Sequence, residues 1–272
     1  MDLGLQGKYA LVAGGSRGIG KAIALELARE GADVVICSRN ATELGKTASE
    51  INATTGQRIF PLVMDVTKTS DVNKTISEAA RKLGGIHILI NSAALPGGSP
   101  NAIGPIETVN DTSLLYDFDV KYVGALRCCR AAIPFMKKEG WGRIVNISGG
   151  NARVAGNLSG GARNISLVHL TKTLSDQLGR YGITVNCIHP GTTRTERTSG
   201  LLLERAKEEG ITPQQVEKAD FGAESSITNS IGRMVDSEEI GYLTAFLASD
   251  KAWAITGEVI GAGGGTGKAV YY

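Results

Sequence analysis

Short runs of consecutive apolar residues alternate along this chain with longer stretches in which apolar positions recur every three or four residues. The runs predict strands at 8–13, 33–37, 58–63, 86–90, 142–147, 183–188 and 257–260. The periodic stretches predict helices at 18–30, 40–54, 69–83, 111–138, 160–180 and 236–249. Strands that are apolar throughout are buried on both faces, the habit of a parallel sheet covered by helices on either side. No internal repeat or linker-like change of composition interrupts the alternation, so a single α/β domain is expected over 1–272.

Two connections break the short-loop pattern. Residues 91–110 are long and turn-rich, and 190–235 are longer still. The second carries helical signals of its own, at Leu201-Leu202-Leu203-Glu204-Arg205-Ala206-Lys207 and after Thr212-Pro213, a cap followed by proline at the first helical position. Ligands of open parallel sheets sit beyond the carboxyl ends of the strands. The segment at about 190–235 is therefore read as a substrate lid, with a surface excursion packed on the body or on a partner as the alternative.

Composition narrows the function classes. With 29 Lys and Arg against 27 Asp and Glu the net charge is +2, and no run of like charges offers a nucleic-acid or membrane surface. The four cysteines, Cys37, Cys128, Cys129 and Cys187, lie in apolar segments without metal-ligand spacing, as buried free thiols do in a reducing compartment. No metal site is expected. The first residues lack a charged-then-apolar signal pattern and no apolar stretch is long enough to span a bilayer, so the expected location is the cytoplasm.

The strongest local motif is Ala13-Gly14-Gly15-Ser16-Arg17-Gly18-Ile19-Gly20, between the first strand and the first helix. Glycines let the backbone turn tightly and approach a pyrophosphate with no Cβ in the way, and the helix N-terminus adds free N–H groups and partial positive charge. Gly14, Ser16, Arg17, Gly18, Ile19 and Gly20 are thus candidate dinucleotide contacts. An NAD site usually ends its second strand on Asp or Glu, to accept from the ribose 2′-hydroxyl. Here the strand ends on Cys37-Ser38-Arg39-Asn40, and Arg17 lies inside the glycine turn. Two guanidiniums converging on one ribose suit a 2′-phosphate, each contact contributing about 1.5–3 kcal/mol, so NADP(H) is the expected cofactor, with Ser38 and Arg39 at its adenosine end.

These residues resemble the short-chain dehydrogenase/reductase family, and the resemblance extends from about residue 6 to residue 265. Asp65-Val66 matches its adenine contact, and Asn91-Ser92-Ala93-Ala94 looks like its Asn-Asn-Ala-Gly turn. Gly142 to Ser148 matches its fifth strand. Tyr181 to Asn186 leads into Pro190-Gly191, with Thr195 where the family binds pyrophosphate, and Gly257 with Gly261 to Gly265 matches its last strand and turn. The resemblance implies a Rossmann-like doubly wound parallel sheet of about seven strands in the order 3-2-1-4-5-6-7. It adds Asp65, Val66, Asn91, Ala93, Pro190, Gly191 and Thr195 to the cofactor contacts. It also implies an oxidoreductase acting on a carbonyl or hydroxyl compound, assembled as a homodimer or homotetramer through helices 111–138 and 160–180 and the apolar tail at 269–272.

One part of the family pattern is missing. Its tetrad is Asn, Ser, Tyr and Lys, and no tyrosine in this chain is followed four residues later by lysine. Counting from matched flanks, the four positions hold Lys121, Gly149, Gly160 and Asn164, and Gly160 and Asn164 in place of Tyr and Lys would leave open volume at the nicotinamide face. General acid catalysis contributes ~10²–10⁴ in rate, so turnover of simple ketones and alcohols is expected to be negligible, and any redox activity to depend on surviving groups near the site. Lys121, Ser148 and His189 are the candidates. Lys121 is expected either beside the nicotinamide, partly desolvated with a lowered pKa as acid or imine former, or solvated or salt-bridged near Asp117 or Asp119; Ser148 and Ser159 also serve as strand-end or cap hydroxyls, and His189 also as a packing residue. His87, His169, Tyr116 and Tyr122 read as structural. Three functions remain open: a rebuilt NADP-dependent oxidoreductase with a small-molecule substrate, a non-redox relative, and a non-catalytic subunit forming a heteromer with an active family member.

Overall fold

The computed structural model of the chain describes residues 1–267, and the tail at 269–272 lies outside them. The first half runs β1 (Tyr9–Ala13), α1 (Gly18–Arg29), β2 (Asp33–Ser38), α2 (Ala41–Thr55), β3 (Ile59–Val63), α3 (Thr69–Leu83) and β4 (Ile88–Asn91). It continues with α4 (Asp111–Phe118), a π turn (Asp119–Val123), α5 (Gly124–Glu139), β5 (Gly142–Ile147), α6 (Leu158–Leu178) and β6 (Ile183–Pro190). The last quarter holds β7 (Thr193–Arg194), α7 (Thr198–Glu209), α8 (Pro213–Asp220), β8 (Val235–Asp236), α9 (Ser237–Leu247) and β9 (Val259–Ala262). Seven strands form one parallel sheet in the order β3-β2-β1-β4-β5-β6-β9, which is the expected order with β9 as its seventh member. This is a doubly wound α/β fold.

Strand alternation assigns the two faces. Ala10, Val12, Val34, Ile36, Ile88, Ile90, Val145 and Ile188 pack with Ile23, Leu27 and Ile240 under α1 and α9. Their neighbours Leu11, Ala13, Val35, Cys37, Leu89, Ile144 and Val185 pack with Ile76, Ala79, Cys128, Ala132 and Met136 under α3 and α5. Both sets are buried, which is why the strands show no polar alternation in the sequence. All four cysteines are buried and free.

Helix ends follow local chemistry. Asn40 caps α2 by accepting from Glu43 N at 3.1 Å, and α2 stops at Gly56, whose φ of 73° suits a residue without Cβ. Thr212 and Gln215 form a reciprocal capping box at the start of α8, with Pro213 at its first position as the sequence predicts.

The expected helix at 111–138 is three pieces. The π turn at Asp119–Val123 inserts one extra residue between α4 and α5 without ending the helical path. An apolar period cannot reveal a single-residue insertion, and this one places Lys121 on the inner side. α5 then starts on Gly124, where a Cβ would stand 3.0 Å from Val66. The segment 190–235 folds as β7, α7, α8 and β8, with a small core of its own from Leu202, Ala206, Val216, Phe221 and Met234.

Candidate functional site

The sheet order reverses between β1 and β4, and the turns leaving these strands go to opposite faces. The crevice so formed is a cleft of about 990 Å³ at the carboxyl edge. The glycine turn is its floor. A Cβ on Gly14 would lie 2.7 Å from Ala93 N, and one on Gly20 would lie 2.1 Å from Gly14 O. Only backbone fits at either position. The cleft is lined by Gly14, Ser16, Arg17, Gly18, Ile19, Ser38, Arg39, Asp65, Val66, Ala93, Pro190, Gly191 and Thr195 of the expected cofactor set, together with Lys121 and Ser148.

Three expected site residues lie elsewhere. Gly20 packs behind the turn and shapes it without lining the cleft. Asn91 is buried, donating to Asn146 Oδ1 at 2.8 Å and to Cys129 Sγ at 3.3 Å, while Asn146 donates on to Thr171 Oγ1 at 2.9 Å. Asn91 thus ties β4 to β5 and α6 below the site. His189 is also buried and outside the lining, with no hydrogen-bond partner for either ring nitrogen among the described residues. Burial, with the Arg153 and Lys121 charges beside it, pushes its pKa down to about 4. Its ring is neutral at pH 7 and has no acidic proton of useful strength to donate.

At one end of the cleft stand Arg17 and Arg39, and neither forms an ion pair among the described residues. Arg39 Nη1 donates instead to the Tyr116 hydroxyl at 2.7 Å. Asp65 is held below the usual carboxylate range: burial raises it, but the Thr67 hydroxyl and amide, with Lys68 and Arg39 nearby, outweigh that. Two acidic residues in the lining were not predicted. Glu43, one turn into α2, accepts from Ser16 Oγ at 3.3 Å. Glu196 accepts from Gly18 N, in the glycine turn, at 2.9 Å. Their contacts span 27 and 178 residues, and no local pattern encodes them.

At the other end, Lys121 reaches in from the π turn. It is buried, and Nζ donates to Ser148 O at 3.0 Å. Lys121 is neither solvated nor, among the described residues, paired with Asp117 or Asp119. Asp119 pairs with Arg127 at 2.8 Å. Asp117, fully buried, accepts from Ser99 N at 2.9 Å, Ser99 Oγ at 2.6 Å and Ser159 Oγ at 2.6 Å, with Arg163 Nη1 at 3.6 Å. Burial raises this carboxyl, but the hydroxyls of Ser159 and Ser99 and the Arg163 guanidinium hold it below its ordinary range. Lys121 is left opposite a neutral carbonyl. Desolvation, reinforced by the Arg163 charge, lowers its pKa from 10.5 to about 7. Ser148 is committed, its hydroxyl donating to Asn164 O at 2.9 Å.

The space expected to be open is partly taken. A Cβ on Gly149 would stand 2.7 Å from Asn164 Nδ2, and one on Gly160 would stand 2.9 Å from Asn151 Nδ2 and 3.2 Å from Asn157 Cγ. Asn157 also donates to Gly97 O at 3.1 Å, drawing the loop after β4 over this end. No cluster of His, Cys, Asp or Glu among the described residues could hold a metal ion, and no helix among them is long and apolar enough to cross a membrane.

Comparison with known proteins agrees with this architecture. The family model described as enoyl-(acyl carrier protein) reductase matches residues 13–267. The NADPH-dependent reductase BacG of Bacillus subtilis is 32% identical, over 97% of this chain and 99% of its own length. The 3-oxoacyl-(acyl-carrier-protein) reductase FabG of Staphylococcus aureus is 31% identical, over 95% of this chain and 97% of its own. Among solved structures, L-sorbose reductase from Gluconobacter frateurii, complexed with NADPH and L-sorbose, superposes with a TM-score of 0.92 at 27% identity, covering 99% of this chain and 100% of that one.

The packing of Asn164 against Gly149 makes a direct prediction. Gly149→Ala should lower stability by about 1–3 kcal/mol through overpacking. Asn164→Ala in the same chain should recover most of that loss, as a double-mutant cycle in urea unfolding would show. Simple additivity of the two changes would mean that the side chains do not share this space.

Proposed function

Because the chain belongs to the short-chain dehydrogenase/reductase family, whose model covers residues 13–267, we propose that it is an NADP(H)-dependent reductase of a small carbonyl compound in which Lys121 is the proton donor. The carrying observation is Lys121 itself: a buried ammonium lining the cleft, hydrogen-bonded among the described residues to the Ser148 carbonyl alone, with a pKa of about 7.

The residues fit a phosphorylated dinucleotide. The cradle at Gly14 and Gly20 admits no Cβ, and Gly18 has a φ of 55° with its N–H turned to an acidic oxygen of Glu196. Arg17 and Arg39, free of ion pairs among the described residues, supply charge-assisted donors for a 2′-phosphate. When bound, the nicotinamide supplies or accepts the hydride of the carbonyl–alcohol exchange. The chain must then move one proton at the substrate oxygen. Ser148 has its hydroxyl donated to Asn164 O, and His189 is neutral and outside the lining, so Lys121 Nζ is the group able to give that proton near neutral pH. BacG and FabG, by their names, are reductases, which supports this direction.

The segment 190–235 acts as a lid in this reading. Thr193, Thr195, Glu196, Arg197, Thr198 and Leu201 line the cleft from that side. Glu196 holds the N–H of Gly18 that a pyrophosphate would need, so cofactor entry and lid position are coupled. A groove of about 580 Å³ between α5 and α6, lined by Tyr122, Leu126, Ile133, Leu170 and Leu174, supports a homo-oligomer built through these helices. The missing Tyr-x-x-x-Lys and the asparagines packed against Gly149 and Gly160 favour one second reading, a cofactor-binding subunit without turnover.

Fluorescence titration should show NADPH bound more tightly than NADH, with Glu196→Gln tightening NADPH further; equal affinities would refute the cofactor assignment. NADPH-dependent reduction across a carbonyl panel should fall as pH rises through about 7, where Lys121 loses its proton, and Lys121→Met should abolish it. The folded-state pKa lies below the ordinary 10.5, so the unfolded chain binds more protons between these values and stability rises with pH across that window. Lys121→Met should flatten that rise. Turnover untouched by Lys121→Met would remove Lys121 from the mechanism, and no turnover of any carbonyl would favour the second reading. Light scattering at micromolar concentration should give a dimer or tetramer, and a monomer would refute the assembly.

A further inference from the structure

The Arg39–Tyr116 hydrogen bond ties the cleft wall after β2 to helix α4, a segment distant in the chain. Arg39 follows β2 and lines the cleft, whereas Tyr116 stands on α4, outside the lining, and the two meet at 2.7 Å across 77 residues of sequence. Tyr116 precedes Asp117, whose fully buried carboxylate is fixed by Ser99 and Ser159. The phenol therefore projects from a part of α4 that is pinned to the body. Arg39 by contrast is exposed; Asp65 feels its charge without forming an ion pair with it among the described residues, and Tyr116 is the hydrogen-bond partner that orients its guanidinium.

We propose that Tyr116 is a positioning residue for cofactor choice: it holds the Arg39 guanidinium in the orientation that, with Arg17, selects a dinucleotide bearing a 2′-phosphate. The inference rests on the NADP(H) reading above. Its chemistry lies in the kind of acceptor used. A carboxylate at this place would fix Arg39 and also neutralise it, competing with the phosphate. A neutral phenol fixes one of five N–H donors and leaves the full positive charge and the remaining donors available. Pre-ordering a long side chain removes rotamer entropy that would otherwise be lost on binding.

The test is the affinity of the folded chain for NADPH and for NADH, measured by fluorescence titration for wild type, Tyr116→Phe, Arg39→Ala and the double variant. Tyr116 is 39% exposed, so removing its hydroxyl leaves the fold intact. Tyr116→Phe should weaken NADPH about three- to tenfold and leave NADH within about twofold, the span of one ordinary hydrogen bond. Arg39→Ala should weaken NADPH more, and Tyr116→Phe should add nothing in that background. If Arg39→Ala selectively loses NADPH while Tyr116→Phe changes neither affinity, or changes both alike, the role of Tyr116 is overturned and the cofactor reading stands. Independent, additive losses in the double variant would also overturn it. If Arg39→Ala loses nothing, both fall.

Discussion

The site depends on one close approach of backbone to backbone. Strands β1 and β4 are hydrogen-bonded neighbours, yet the helices that follow them cover opposite faces. Their turns separate above the sheet and touch at Gly14 and Ala93, where a Cβ on Gly14 would come within 2.7 Å of the Ala93 amide nitrogen. A side chain there would push the two turns apart and fill the crevice from below. With the contact made, the N-terminus of α1 opens at the cleft, where the Gly18 N–H meets Glu196, and the ends of β2, β3, β5 and β6 fall around it in sheet order. Arg39 is carried to one side and Ser148 and Pro190 to the other by strand position alone.

Charge is distributed along this cleft in a way that burial makes consequential. At the arginine end the guanidiniums lack ion pairs among the described residues and keep their charge for a ligand. At the lysine end the fully buried carboxylate of Asp117 is consumed by Ser99, Ser159 and Arg163, and neither of its oxygens meets Lys121 among the described residues. A lysine that had found Asp117 would be an inert ion pair. A lysine facing only a carbonyl in a desolvated pocket loses the advantage of its charge, and its pKa falls toward the range where proton transfer is useful. Lys121 sits in the π turn, on its buried side beside Val120.

The sequence made much of this legible. Fully apolar strands can only be interior strands of a covered sheet, and a Gly-rich turn between strand and helix has few other uses, so β1 to β6 and the cradle from Gly14 to Gly20 lie where the pattern places them. What was not legible depends on contacts between distant segments. Glu196 meeting Gly18, Glu43 meeting Ser16 and Tyr116 meeting Arg39 leave no periodic trace. The partners of Asp117 were equally hidden: proximity in sequence pointed to Lys121, four residues on, but the π turn and the α6 residues Ser159 and Arg163 decide otherwise. The vacated space was misjudged for a related reason. The glycine at 160 reads as a hole, whereas Asn151 and Asn157 pack against it.

The central claim is that a lysine near neutrality serves as the acid of this cleft, and the most direct measurement is the titration of that one amine. Lysine side-chain ¹³C–¹⁵N NMR of the folded protein, with the signal assigned by its loss in Lys121→Met, follows Nζ through its protonation change. The account predicts a midpoint at about 7, set by burial and the Arg163 charge. A midpoint near the ordinary lysine value of 10.5 would show a solvated or paired ammonium, and would contradict it.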